Sequence, residues 1–306
     1  SATTYLSGWI LVMKYLHVYN GTILLSDNKI SPEKYSEVLE NYNIIETFFK
    51  VEQLLFILIC NYNELCLELN QITLKNFFEG NIEKEIAVDI TKVTWKILNL
   101  SASFKCYLDQ VKGSNKFNGE HNPGIFEEIE PILHYKILEK LKDIRENDTD
   151  AQYLYDIRNE IQHNNLPMQY VGMNRNIVGE EENKTRIINM TFNKELSSND
   201  YVRVGNGLQS LFDMHYGLIR DYYYGKYNEA KKYYNDFINE FVEPDENRLM
   251  ILIDDENDKK QFITRNYVNR IQQLVDKNPK RKPNVKGWFP GMINIADINK
   301  NRNKNK

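Results

Sequence analysis

The chain has 306 residues, 27% of them charged, and its 39 Lys and Arg against 43 Asp and Glu leave a net charge of −4. That length allows one large or two modest domains, of which one elaborated helical domain is preferred, and the slightly acidic balance excludes a polycationic protein that coats phosphate backbones, so any nucleic-acid contact must be local. Cys60, Cys66 and Cys106 are odd in number and lack a CxxC spacing. They read as reduced core thiols and favour the cytoplasm; the apolar run "WILVM" is too short for the apolar region of a signal peptide, and "LLFILIC" falls far short of the roughly 20 residues a membrane span needs.

Residues 1–30 are predicted as an N-terminal helical segment. A long helix follows, with Ser31 as N-cap, Pro32 at the first helical position and Glu33 in the first turn. It runs past Leu69 and is apolar nearly all round, with one stripe through Tyr35, Tyr42 and Ile45 and another through Phe48, Leu55, Tyr62 and Leu69, as a central bundle helix would be. A second helix is predicted from Ile82 to about Val111 on Ile86, Ile90, Val93, Ile97 and Leu100. The stretch "KGSNKFNGEHNPG" breaks it. A third helix is predicted to begin near Pro123 and a fourth to follow the polar turn "RENDTD", and four helices with short connections imply a bundle.

After Pro167 the pattern alternates over "MQYVGMNRNIVG" and "KTRIINMTF", which predicts a small β-hairpin insertion near 168–193. Helix returns at about Asp200. Within it "VGNGL" reads as a bend, and the tyrosine-rich "DYYYGKYNEAKKYY" as packing surface rather than a base-stacking platform. "RLMILID" reads as a strand and "KKQFITRNYVNRIQQLVDK" as a last amphipathic helix. From Lys277 onward nine Lys or Arg face one acid, Asp297. Lys280, Arg281, Lys282 and Lys286 in this basic tail are candidate RNA-phosphate contacts, against the plainer reading of a solvated tail. The domain reading is thus 1–30, a bundle over 31–245, and a strand, helix and tail extension over 246–306.

The chemistry-bearing stretch is "YLYDIRNEIQHNNLP", Tyr153–Pro167. Leu154, Ile157 and Ile161 make a buried stripe, and Asn164, Asn165 and Pro167 end the helix just after His163. Arg158 and His163 stand about 140° apart on an ideal helix, so one chain alone does not aim both at one phosphate. Plainer roles are an ion pair between Arg158 and Glu52, with Glu46 as the rival carboxylate, and a helix C-terminal cap for His163. Glu160 and His163 make an ExxH spacing, but no second copy exists in the sequence to complete a di-iron set, so no metal and no cofactor is expected.

Arg, a polar residue, then His a few positions on, late in a helical bundle, resembles the HEPN superfamily; Arg158, Asn159 and His163 are the matching positions. The resemblance implies an all-α, elaborated HEPN-like helical bundle, usually a homodimer whose two motifs meet at the interface as a metal-independent endoribonuclease site. It also implies a toxin or antiphage-defence effector in the bacterial cytoplasm, with RNA as substrate and a cognate antitoxin or sensor protein as a possible partner. Members paired with a nucleotidyltransferase antitoxin carry Tyr two residues after the His; here that position is Asn165. In the implied chemistry His163 exchanges the proton of the 2′-OH, Arg158 holds the phosphate and Asn159 orients either group, giving 2′,3′-cyclic phosphate ends. The rival is a catalytically silent HEPN-like module that binds a nucleotide or a partner protein.

Overall fold

The structure, a computed structural model, describes residues 14–79, 86–115, 119–163, 176–178, 185–187, 200–244, 246–254, 259–285 and 293–294. Side chains at 72–79, 86–90, 115, 158–163, 176–178, 185–187, 200–202 and 293–294 lie outside that description. In chain order the elements are β1 (Lys14–Asn20), β2 (Ile23–Ile30), α1 (Pro32–Glu79), α2 (Ile86–Lys112), β3 (Ser114–Asn115), β4 (His121–Asn122), α3 (Pro131–Asn147) and α4 (Thr149–His163). Then come β5 (Asn176–Val178), β6 (Thr185–Ile187), α5 (Asp200–Met214), a π-helical segment (His215–Arg220), α6 (Asp221–Asn239), β7 (Leu249–Asp254), β8 (Lys259–Ile263), α7 (Arg265–Lys277) and β9 (Ile293–Asn294). The protein is mostly helical, as its periodicity predicts, but its β-structure exceeds one hairpin.

The chain divides into two compact units, Ser1–Lys50 with Tyr222–Lys277 and Val51–Asp221 with Asn278–Lys306. The first is built on a four-stranded antiparallel sheet in the order β2-β1-β7-β8. Residues 14–30 therefore form a hairpin, not the expected helical segment. Its turn is Gly21-Thr22, where Gly21 has a φ of 60° that costs a glycine nothing. Register sets Leu16 against Leu252 and Val18 against Met250, and all four are buried, the period-2 burial of a sheet with one covered face. At the end of that face Lys14 and Asp254 are buried together as an ion pair, which satisfies both charges.

The helical portion of this unit buries Tyr35, Val38, Ile45 and Phe48 from α1, Tyr223, Tyr227, Tyr234 and Phe237 from α6, and Val268, Ile271 and Val275 from α7. Phe48 stacks on Tyr227 with ring centroids 4.5 Å apart. The tyrosine-rich stretch is therefore core at Tyr223, Tyr227 and Tyr234, while Tyr222 and Tyr224 are exposed. "KKQFI", expected as the start of the last helix, is strand β8, and α7 begins only at Arg265.

The second unit is a helical assembly in which α2, α3, α4 and α5 pack on one another. Its core takes Val51, Leu55, Leu58 and Leu65 from α1, Ile97, Phe104 and Val111 from α2, Ile137 and Leu141 from α3, Leu154 and Ile157 from α4, and Leu208 and Phe212 from α5. α3 starts at Pro131 rather than near Pro123. Residues 125–129 form a turn first, folded back on α2 by the Ile125 N–H donating to the Gln110 carbonyl at 2.8 Å. β5 and β6 pair within the predicted insertion, and β9 adds a third strand from the far end of the chain. Of the three cysteines, described as free, only Cys66 is buried; Cys60 is half-buried and Cys106 exposed, which corrects their reading as core thiols.

Candidate functional site

α4, the helix that carries the Arg158 motif, is positioned mainly by its first turn and by α5. Asp148 caps it, its Oδ1 accepting the N–H groups of Asp150 and Ala151 at 2.9 Å each. Ser210 of α5 donates to the other Asp148 oxygen. Arg203 Nε donates to Asp150 Oδ1 at 3.0 Å, Asn206 Nδ2 to Asp150 Oδ2 at 2.8 Å, and the Arg203 guanidinium lies 4.2 Å from the centre of the Tyr153 ring. Gly207 lets the backbones meet: a Cβ there would stand 2.6 Å from the Asp150 carbonyl oxygen. "VGNGL" is thus a close helix–helix approach within α5 and not the bend expected of it.

Arg158, Asn159 and His163 occupy the last two turns of α4, with His163 its final residue; their side chains lie outside the described residues. Helix phase locates the positions. At about 100° per residue, positions 152, 156, 159 and 163 fall within about 60° of one another. Position 158 falls about 140° from 163, in phase with the buried Ala151 and Leu154.

The face shared by 152, 156, 159 and 163 opens, at its first two positions, into a cleft of about 420 Å3. α2 lines it with Phe104, Lys105, Leu108, Asp109 and Lys112, α3 with Arg145, and α4 with Gln152, Tyr155 and Asp156. Tyr155 is braced edge-to-face against buried Phe104 at 5.4 Å between centroids. Burial raises its phenol above the ordinary value of 10.0, with Arg145 pulling the other way and Asp109 adding to the rise. Lys105 is paired with Asp109 at 2.5 Å along α2. Three cations thus face two carboxylates in an open, partly aromatic concavity.

A second polar cluster is closed. Glu52 and His215 are both 0% exposed. Glu52 Oε1 accepts from Arg220 Nε at 2.9 Å and lies 3.1 Å from His215 Nε2; Oε2 accepts from Arg220 Nη2 and Asn278 Nδ2, each at 2.7 Å. Tyr107 Oη lies 2.7 Å from His215 Nδ1. This geometry assigns the tautomer: Tyr107 donates to Nδ1, and Nε2–H donates to Glu52. Burial alone would raise the Glu52 carboxyl, but the hydrogen bonds from His215 and Arg220, with the Arg220 charge, outweigh it and bring it down to about 2. His215 is lowered from 6.5, chiefly by burial, which keeps the imidazole neutral near pH 7.

His215 and Arg220 converge because the segment is π-helical, the Asp221 N–H reaching the Tyr216 carbonyl. An i→i+5 turn brings residues five apart to one side, where an α-helix would splay them by about 140°. The arginine that pairs with Glu52 is therefore Arg220, where the sequence had set Arg158 against it. Arg220 Nη1 and Tyr216 Oη also donate to the Pro279 carbonyl, each at 2.8 Å. With Asn278, these bonds tie the start of the C-terminal tail to the helices.

Glu46 pairs with Lys50 at 3.3 Å, one turn along α1. Lys280 and Arg281 are exposed, Lys282 pairs with Asp213 at 2.8 Å, and Lys286 lies outside the described residues. Among the described residues no group of three or more His, Cys, Asp or Glu side chains is arranged to hold a metal, and no helix is long and apolar enough to cross a membrane. No protein-family model, no curated protein and no solved structure matches the chain.

Proposed function

We propose that this chain is a metal-independent endoribonuclease of the HEPN type, a toxin or antiphage-defence effector acting on RNA in the cytoplasm. One observation carries the reading: α4, braced at its start by α5, ends at His163, and positions 159 and 163 continue the helix face that opens into the cation-bearing cleft. A polynucleotide needs such an open, positive approach. RNA supplies its own nucleophile, the 2′-OH, so the protein has only to move protons and stabilise charge developing on the phosphoryl oxygens. His163 exchanges the proton near neutrality, Arg158 holds the phosphate and Asn159 orients one of them. Because positions 158 and 163 are about 140° apart, one copy cannot direct both at one phosphate, and a homodimer with its motifs at the interface completes the site.

Purified protein in EDTA is expected to cleave single-stranded RNA to 2′,3′-cyclic phosphate and 5′-OH ends. His163→Ala is expected to lower the rate at least a hundredfold with unchanged circular dichroism. Cleavage that persists in this variant, or that disappears from the native protein on adding EDTA, rejects the reading.

A further inference from the structure

The cleft between α2, α3 and α4 has features that the cleavage chemistry does not use. Among the described residues neither Arg145 nor Lys112 is ion-paired with a carboxylate, whereas Lys105 is already held by Asp109. Two cations outside any ion pair, one of them a guanidinium whose planar fork matches phosphate oxygens, leave one positive charge in excess of the cleft's carboxylates and make the concavity an anion site. The wall between them is aromatic: Tyr155, fixed by its contact with buried Phe104, offers a ring whose ordering has already been met by packing. On the same wall Asp156 supplies a carboxylate able to pair with base edges or ribose hydroxyls, and Gln152, whose amide nitrogen donates to the Arg145 carbonyl at 2.8 Å, presents its amide oxygen as an acceptor. A free phosphate or a small dicarboxylate would use the cations and leave the ring idle. A cleft of about 420 Å3 lies in the range of small-ligand sites and is too small for a duplex.

We infer that this cleft binds one nucleoside phosphate, its phosphate on Arg145 and Lys112 and its base against Tyr155. Resting on the ribonuclease reading, that unit is a nucleotide of the single-stranded RNA substrate flanking the bond to be cut. Position 156 precedes position 163 by seven residues, a rise of about 10 Å along α4, so one strand can lie in the cleft and reach the helix end. The cleft thereby selects single strands, because a base must leave its stack to meet the tyrosine.

The test is fluorescence anisotropy of the full chain with an end-labelled 2′-O-methyl oligoribonucleotide, which lacks the nucleophilic hydroxyl and stays uncut, with adenosine monophosphate and inorganic phosphate as competitors. Arg145→Glu and Tyr155→Ala should each weaken binding about tenfold or more, Arg145→Lys should recover part of the loss, and Arg145→Ala should reduce the salt slope by about one. Adenosine monophosphate should compete well below the phosphate concentration needed. Both residues lie at the open cleft, and unchanged urea midpoints separate lost binding from lost folding. Affinities of Arg145→Glu and Tyr155→Ala within twofold of native overturn the inference even where RNA is cleaved. If the nucleotide binds through Arg145 but the oligonucleotide is indifferent to it, the cleft holds a free nucleotide and its place on the substrate path is overturned. Cleft-dependent oligonucleotide binding without any cleavage upholds the site and removes only the nuclease reading.

Discussion

Glu52 and Arg145 belong to the same helical unit and show two uses of one set of side chains. Around Glu52, an arginine, a histidine and an asparagine fill the acceptor positions of one carboxylate out of reach of solvent, and a tyrosine donates to the far side of the histidine. Around Arg145, an arginine, two lysines, a tyrosine and two carboxylates face an open cleft with positive charge left over. A catalytic-looking constellation that is closed, with its carboxylate and imidazole already bonded, has no proton or charge to offer a substrate, so it stabilises and orients the chain. An open one with unmatched cations is free to bind. The difference lies in solvent access and in which donors remain without acceptors.

The sharpest way to break the comparison is to open the closed cluster. Arg220→Met removes two donors from a carboxylate that cannot reach water, and should lower the free energy of unfolding by about 3–5 kcal/mol in urea denaturation. The double variant Glu52→Leu with Arg220→Met should be less destabilised than Arg220→Met alone, because it no longer buries an unpaired charge. A loss below about 1 kcal/mol for Arg220→Met would show that Glu52 reaches solvent and that the two regions do not differ as described.

Acid titration probes the same contrast without mutation. Glu52 titrates near 2 in the folded chain against 4.5 ordinarily. Its contribution, about 3 kcal/mol, is therefore fully present above pH 4.5 and lost as pH falls toward 2. His215 acts in the same direction from pH 6.5 downward, since only the unfolded chain takes up its proton readily there. Unfolding midpoints measured from pH 7 to pH 3 should fall, and Glu52→Gln should flatten the part below pH 4.5. An unchanged slope in that variant would assign the acid sensitivity to other groups.

Gly207→Ala gives a smaller effect. The added methyl would meet the Asp150 backbone carbonyl, which cannot rotate away, so α5 must shift from α4 at about 1–3 kcal/mol. Because α5 braces the helix that lines the cleft, oligonucleotide affinity should fall with stability here, whereas Arg145 substitutions lower affinity alone. A melting temperature unchanged by Gly207→Ala would show that the two helices are not closely packed at this point.

Much of the helical content was legible. The start of α1 follows from Ser31, whose Oγ accepts the Lys34 N–H at 3.1 Å, and from Pro32 at the first position. α2 and α4 follow from apolar residues three and four apart. The N-terminal hairpin was also written in the chain, in the alternation of "KYLHVY" before Asn20-Gly21, but the apolar run before it reads equally as helix. For α3 two prolines, Pro123 and Pro131, were each acceptable first residues. Only the fold-back of residues 125–129 on α2 chooses between them.

The candidate site divides along the same line. Glu52 could be singled out because a carboxylate on an apolar face must find a partner. Its partner could not, since Arg220 and His215 are 163 or more residues away and are brought together by a π-helical turn that no 3.6-residue periodicity anticipates. The cleft draws on residues from three helices, none notable alone.

By itself, then, the sequence determined where most helices run, which faces they bury and that Arg158, Asn159 and His163 share the end of one of them, because capping, periodicity and helix-breaking act over a few neighbouring residues. Tertiary structure alone decided which arginine meets Glu52, which tyrosines are core and where unmatched positive charge faces an opening. Those outcomes depend on desolvation and on contacts between distant segments, and both arise only once the chain has packed.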